Sequence, residues 1–341
     1  MPELHDDELH PSYIGIPTYL GTPFAKDEKE LKKLNADVSI IGAPVDMGVV
    51  ARPGARFGPR AIRQADYWPK PAKSSNLYHL NLEVFPLKEL NVVDFGDANC
   101  PPMSLEKSHE AVEKKVTQAL NADTIPIVLG GDHSITLPSA TAVAKKYGYG
   151  NVGMVHFDAH ADTGDSSYGG VIISHGSPMR RLIESKAIPG KNFVQMGLRG
   201  PWPYPELLDW MKGQNMRFHT MAEIEKEGFD KVLDLAISEA LDGPENLYIS
   251  VDVDVMDPAH APGTGTPEPG GISSLELLRA LRKIVLEKGM VAMDVVEVAP
   301  IYDQPGDITA QAAHRCIYEA IAALAKKINN FKRIIEYYKS I

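Results

Sequence analysis

Residues 151–162 read N-V-G-M-V-H-F-D-A-H-A-D. The first half is apolar and rich in β-formers, and the second places two aspartates and two histidines within positions 156–162. Burying ionisable groups is costly, so an ordinary interior segment avoids such a set. A hydrophobic strand that runs into it reads as a strand leaving the carboxyl edge of a parallel sheet, where ligands gather. In extended geometry Asp158, His160 and Asp162 share one face because their spacing is two. Ala159 and Ala161 leave room between them. Carboxylate oxygens and imidazole nitrogens together suit Mn²⁺, Fe²⁺, Zn²⁺ or Ni²⁺. His156 shares the parity but lies one pleat deeper, which assigns it an orienting or structural role.

Similar runs recur along the chain at 37–42, 91–95, 124–129, 193–198, 247–251 and 291–296, with 216–218 as a short edge strand. Most do not alternate cleanly, which suits strands buried on both faces. Amphipathic helices are predicted over 105–119, 229–241, 274–287 and 308–327. Strand–helix alternation of this length predicts an α/β fold: a three-layer open sheet, mostly parallel, of about eight strands. Gly15, Pro17, Gly21 and Pro23 interrupt any regular pattern near the start. Residues 1–35 therefore read as an N-terminal extension, 36–330 as one continuous domain and 331–341 as a C-terminal tail.

Apolar residues make up 44% of the 341 positions and charged residues 23%, ordinary values for a globular protein. The formal net charge of -10 disfavours nucleic acid and favours a cationic small molecule. Cys100 and Cys316 alone make neither a disulfide framework nor a thiolate zinc site. The polar, acidic start does not read as a signal peptide, and no run approaches 18 apolar residues. Cytoplasmic residence is the expectation.

Three further strand exits carry chemistry. G-G-D-H-S, residues 130–134, offers glycines for a tight exit, Ser134 as a helix cap and His133 as a metal ligand near a helix N-terminus. In S-V-D-V-D-V-M-D-P, residues 250–258, Asp252 and Asp254 again have spacing two and would repel without a counter-ion. Asp257 reads as a turn organiser. D-V-V-E-V-A-P, residues 294–300, ends a very apolar run in Glu297, a candidate for a cationic substrate; Asp294 reads as structural. Asp158, Asp162, Asp252 and Asp254 carry four negative charges, which two divalent ions would neutralise.

These motifs, with A-P-G-T-G-T-P-E-P-G-G at 261–271, resemble the three metal signatures and flanking turns of the ureohydrolase family, which includes arginase and agmatinase. The resemblance spans about residues 35–325 and implies an arginase-like fold and a binuclear centre, usually of Mn²⁺, with Ni²⁺ as the alternative. It implies one ion on His133, Asp158, Asp162 and Asp252, and the other on Asp158, His160, Asp252 and Asp254. It also implies attack of a metal-bridging hydroxide on a guanidinium carbon, with Glu297 pairing the guanidinium and Asp254 handling the nucleophile's proton. His175, in I-S-H-G-S-P, would protonate the leaving amine or shuttle protons, and Thr266 would contact the guanidinium or shape its pocket. A homotrimer or homohexamer is implied, with no nucleic-acid or membrane partner.

The E-V-A-P-x-Y-D pattern after residue 296 looks more like agmatinases and makes agmatine, giving putrescine and urea, the leading substrate. T-G-D-S-S-Y-G-G-V-I-I at 163–173 departs from the arginase loop, and S-H-G departs from the D-H-G of some agmatinases. 4-Guanidinobutyrate, 3-guanidinopropionate, arginine and free guanidine compete. Arg180 and Arg181 could meet a carboxylate, Val171–Ile173 narrow a pocket, and Trp68, Trp202 and Trp210 line an entrance. A silent family member acting as a scaffold would lack a ligand or Glu297, and this chain has the full set.

Overall fold

The computed structural model describes residues 9–10, 15–67, 70–71 and 77–340, with side chains over 15–67 and 77–330. Trp68 lies outside the described residues. Eight strands form one sheet: β1 Val38–Ala43, β2 Val92–Asp97, β3 Ile125–Gly130, β4 Val152–Phe157, β5 Phe193–Leu198, β6 Arg217–Thr220, β7 Asn246–Asp252 and β8 Ala292–Val296. Their order across the sheet is β2-β1-β3-β8-β7-β4-β5-β6, and every neighbouring pair is parallel. Outside it, Leu9–His10 pairs antiparallel with Lys70–Pro71.

Successive residues of each strand pack on opposite faces, as pleating requires. Ile40, Ile127, Leu129 and Val155 join one apolar cluster, while Ile41, Val128 and Met154 join the other. The first is covered by helices Phe229–Ala240, Ser274–Glu287 and Ile308–Ser340, the second by Leu105–Asn121, Thr136–Tyr147 and Pro178–Glu184. This is the three-layer arrangement expected. Ser274–Glu287 shows why the covering helices form. Ser273 and Glu276 make a reciprocal capping box, and Leu277, Ala280, Leu281, Ile284 and Val285 place a buried stripe on the sheet. The cover is close at Gly153 in β4, where an added Cβ would lie 1.9 Å from the Ala240 carbonyl oxygen.

Two stretches run across the expected boundaries. Tyr19 and Leu20 are buried, and Tyr19 donates its N–H to Asp94 Oδ2 at 2.9 Å and its hydroxyl to the His314 carbonyl at 2.9 Å. The helix Ile308–Ser340 continues through the boundary drawn at 330.

The strand order positions the site. The chain builds β1, β2 and β3, then crosses to β4 and leaves a gap two strands wide, which β7 and β8 later fill. The central neighbours β3, β8, β7 and β4 are thus the four strands whose exits carry the charged motifs, at the point where the winding reverses.

Candidate metal centre

Spacing two in the aspartate motifs arises differently from the expectation. β4 ends at Phe157 and β7 at Asp252, so Asp158, His160, Asp162 and Asp254 lie beyond the pleated strands. Instead three exits repeat one turn, in which a carboxylate accepts the N–H two residues on. Asp158 Oδ1 accepts from His160 at 2.6 Å, Asp252 Oδ1 from Asp254 at 2.8 Å, and Asp132 Oδ1 from Ser134 at 3.0 Å. The turn at β3 starts on Gly131, where a Cβ would lie 2.4 Å from the Ala43 carbonyl oxygen. Asp132, not Ser134, caps this exit; the Ser134 hydroxyl meets His109 Nε2 at 2.9 Å. Asp162 is reached through a left-handed residue, its own φ being 50°.

These turns bring the six expected ligands together. His133 Nδ1 lies 3.0 Å from Asp158 Oδ2, 2.9 Å from Asp162 Oδ2 and 3.1 Å from Asp252 Oδ2. His160 Nδ1 lies 3.0 Å from Asp254 Oδ2 and 3.5 Å from Asp158 Oδ1. Two groups of potentially ligating atoms result, one of His133, His156, Asp158 and Asp162 and the other of Asp158, His160 and Asp254, with Asp158 in both. The donor set of nitrogen and oxygen fits a hard or borderline divalent ion. Asp158 Oδ2 is buried with no aligned hydrogen bond, the state of an oxygen shaped for a cation.

The electrostatics of the protein groups point the same way. Burial, then the charges of Asp254 and Asp158, push Asp252 well above the usual carboxylate range. Burial and Asp158 also raise Asp254. Burial would raise Asp158 too, but His133, His156 and His160 outweigh it and hold it well below that range. Burial lowers the His160 pKa, and Asp254 and Asp158 override it to bring the ring to about 12. The cluster therefore draws in positive charge, and divalent ions would supply it while leaving the imidazoles neutral to ligate.

His156 comes closer than its depth in the strand implied, with Nε2 2.9 Å from Asp158 Oδ2. Its Nδ1 receives the Gln195 amide at 2.9 Å, which places the ring proton on Nε2, facing the carboxylate. The ring in that form offers no Nε2 lone pair to a metal, and it stands beside Asp158 without an aligned hydrogen bond to it. The other Gln195 amide hydrogen meets the Ala161 carbonyl at 2.6 Å. Gln195 went unread in the sequence; its signal is a lone amide inside an apolar run, in register with His156.

Glu297 leaves β8 at φ 63° and is buried. Its Oε1 accepts from the His133 backbone N–H at 2.9 Å and faces His175 Nδ1 at 3.0 Å. Its Oε2 is buried without a partner. Thr266 Oγ1 donates to Asp254 Oδ2 at 3.2 Å. His175 Nε2 receives the Val50 N–H at 3.3 Å. Burial disfavours charge on His175, but its bond to Glu297 wins and raises its pKa to about 9.

Val50, His160, Asp162, His175, Asp252, Thr266 and Glu297 border one pocket of about 540 Å³, walled further out by Ser166, Ser167, Tyr168, Ser174, Trp202 and Tyr204. Arg180 and Arg181 do not line it: both pair with Asp165 and Glu184, and the Arg180 guanidinium lies over Trp210. Val171 and Ile172 are exposed outside it. Asp257 organises its turn as expected, accepting from Ala259 and Gly270 at 2.9 and 2.8 Å.

A family model described as the arginase family matches residues 36–323. The chain is 39% identical over 303 residues to proclavaminate amidinohydrolase of Streptomyces clavuligerus, covering 88% of this chain and 91% of the relative. The solved structure of that protein matches with a TM-score of 0.81 over 93% of this chain and 99% of its own, at 36% identity. Guanidinopropionase of Pseudomonas aeruginosa is 37% identical over 328 residues, covering 95% and 96%. The crystal structure of a hypothetical agmatinase from Burkholderia thailandensis matches with a TM-score of 0.81 at 30% identity, covering 95% of each chain.

Proposed function

The chain belongs to the arginase family, and from that premise we propose that it hydrolyses agmatine to putrescine and urea. At the coarser level it is a metal-dependent hydrolase that cleaves a guanidino compound to urea and an amine. The observation that carries the proposal is Glu297 Oε2, a buried, unpaired carboxylate oxygen on the pocket that also holds His160, Asp162 and Asp252. An anion left bare there is suited to a planar N–H donor such as a guanidinium.

His133, Asp158, Asp162 and Asp252 would hold one divalent ion, and Asp158, His160, Asp252 and Asp254 the other, with Mn²⁺ preferred over Ni²⁺. Bound ions supply positive charge and a water that deprotonates near neutral pH. Glu297 accepts the guanidinium through Oε2 while His133 and His175 fix Oε1. Asp254, oriented by Thr266, accepts the nucleophile's proton. With its pKa raised to about 9, His175 favours the protonated ring at neutral pH, in which Nε2 carries a proton instead of accepting the Val50 N–H. Nε2 can thus give a proton to the departing amine.

The outer wall favours agmatine. Among the described residues no lysine or arginine lines the pocket, whereas Tyr168, Trp202 and Tyr204 offer ring faces and hydroxyls to an ammonium tail. A second reading, a guanidino acid, draws on Ser166, Ser167 and Ser174, which can donate to a carboxylate, and on the likeness to guanidinopropionase. The proposal includes a cytoplasmic homotrimer or homohexamer, checked by mass in solution.

A urea-release screen decides between these readings, using agmatine, 4-guanidinobutyrate, 3-guanidinopropionate, arginine and free guanidine on protein loaded with Mn²⁺ or Ni²⁺. Agmatine should give the highest kcat/KM, and chelation should abolish turnover. A higher kcat/KM for a guanidino acid overturns the substrate. No urea from any compound, with no metal bound, overturns the reaction.

A further inference from the structure

A row of buried polar residues crosses the sheet one level beneath the metal centre. Asp294 of β8 pairs in register with Ser250 of β7, Ser250 with His156 of β4, and His156 with Gln195 of β5. All four are fully buried. The His156–Gln195 half meets Asp158, as described above. The other half meets His133, whose Nε2 lies 3.0 Å from Ser250 Oγ. Asp294, read from the sequence as structural, has no part in the reaction proposed above.

The hydrogen bonds set the donors around Asp294. Asp294 Oδ1 receives Ser250 Oγ at 2.7 Å, and its Oδ2 receives the Tyr248 hydroxyl at 2.6 Å and Thr136 Oγ1 at 2.8 Å. Tyr248 has then spent its proton, so at 2.8 Å it accepts from Ser139. Three hydroxyl donors converge on one buried carboxylate, which accepts from all of them. Ser250 likewise spends its single proton on Asp294. Its oxygen can meet His133 Nε2 only as an acceptor, so that nitrogen carries the ring proton. With a divalent ion among Asp158, Asp162 and Asp252, which Nδ1 faces, the neutral ring would keep its lone pair on Nδ1.

We propose that Asp294, acting through Ser250, is a positioning residue that locks His133 in its Nδ1-ligating tautomer and sets the affinity of the metal position His133 serves. This rests on the binuclear reading of the proposed function. An anion behind the relay makes the imidazole a stronger ligand, and losing such a partner typically costs about 10–100-fold in metal affinity. In Asp294→Asn the amide can donate to Ser250, which turns the serine proton toward Nε2 and drives the ring proton onto Nδ1.

The test is metal binding by chelator competition, with elemental analysis, on purified wild-type protein and the variants Ser250→Ala, Ser250→Thr and Asp294→Asn. Wild type should bind two ions, and wild type that binds none refutes the binuclear reading itself. Ser250→Ala and Asp294→Asn should weaken one of the two ions by about 10–100-fold and leave the other within a few-fold. Ser250→Thr keeps the hydroxyl and should restore both. Tyr248→Phe removes a donor to Asp294 but spares the relay, so it should change thermal stability more than metal affinity. Ser250→Ala and Asp294→Asn that bind two ions as tightly as wild type overturn the inference. So does equal weakening of both ions. Should Asp294→Asn not fold, the Ser250 pair decides alone.

Discussion

Glu297 divides its work between its two oxygens. Oε1 is tied to the His133 backbone and His175, and Oε2 is left bare on the pocket. The left-handed backbone that aims it, shared by Asp162 at φ 50°, costs of order 1–3 kcal/mol in a non-glycine residue. Both residues adopt it where their side chains meet the proposed chemistry. Glu297→Gln keeps the shape and can keep the Oε1 bonds, but it turns an amide donor toward the substrate. It should lower kcat/KM by roughly 10²–10³-fold while metal content stays at the wild-type value. Steady-state kinetics with elemental analysis checks this, and wild-type kcat/KM would remove Glu297 from substrate binding.

At the scale of elements, the sheet depends on helices that approach it closely. Gly153 lets Phe229–Ala240 end against β4, and a Cβ there meets a backbone carbonyl that cannot swing aside. Gly153→Ala should cost about 1–3 kcal/mol or more in urea unfolding while the folded protein still binds metal; unchanged stability would show that the helix can move. Much of this level was legible beforehand. The strands at 37–42, 124–129 and 193–198 lie within one residue of β1, β3 and β5, because buried parallel strands read as uninterrupted apolar runs. The six proposed ligands were legible because their residue types are costly at strand ends. The mechanism that gathers them was not. Parity along a strand was expected, yet the turns after Asp132, Asp158 and Asp252 do it, since a carboxylate that caps its own turn leaves the same spacing in the sequence as a pleat. Gln195 and Ser250 escaped notice because a single neutral polar residue in a strand gains meaning only from its neighbours across the sheet.

At the scale of the whole molecule, among the described residues no helix is long and apolar enough to cross a membrane. Stability should depend on acid. His109 joins the Leu105–Asn121 helix to the β3 exit through Ser134, and burial lowers its pKa to about 4. An unfolded chain protonates this histidine near pH 6.5. Between that value and about 4 the unfolded state binds the extra proton, so stability falls as pH drops through the window, by about 3 kcal/mol in total. Urea unfolding of chelator-treated protein at pH 7 and pH 4.5 should show a shallower loss in His109→Gln than in wild type. Equal losses would sink this account.

The strand order also imposes a timetable on synthesis. β8 pairs with β3 on one side and β7 on the other, and among the described residues no other strand joins these two halves of the sheet. A chain leaving the ribosome has all six proposed ligands translated by Asp254, yet His133 belongs to one half and the other five to the opposite one. Each half then presents an open apolar edge, the condition under which nascent chains need shielding from one another. Insertion of β8 closes both edges and brings His133 to its partners in one event, so a full site at the position His133 would serve waits for that strand.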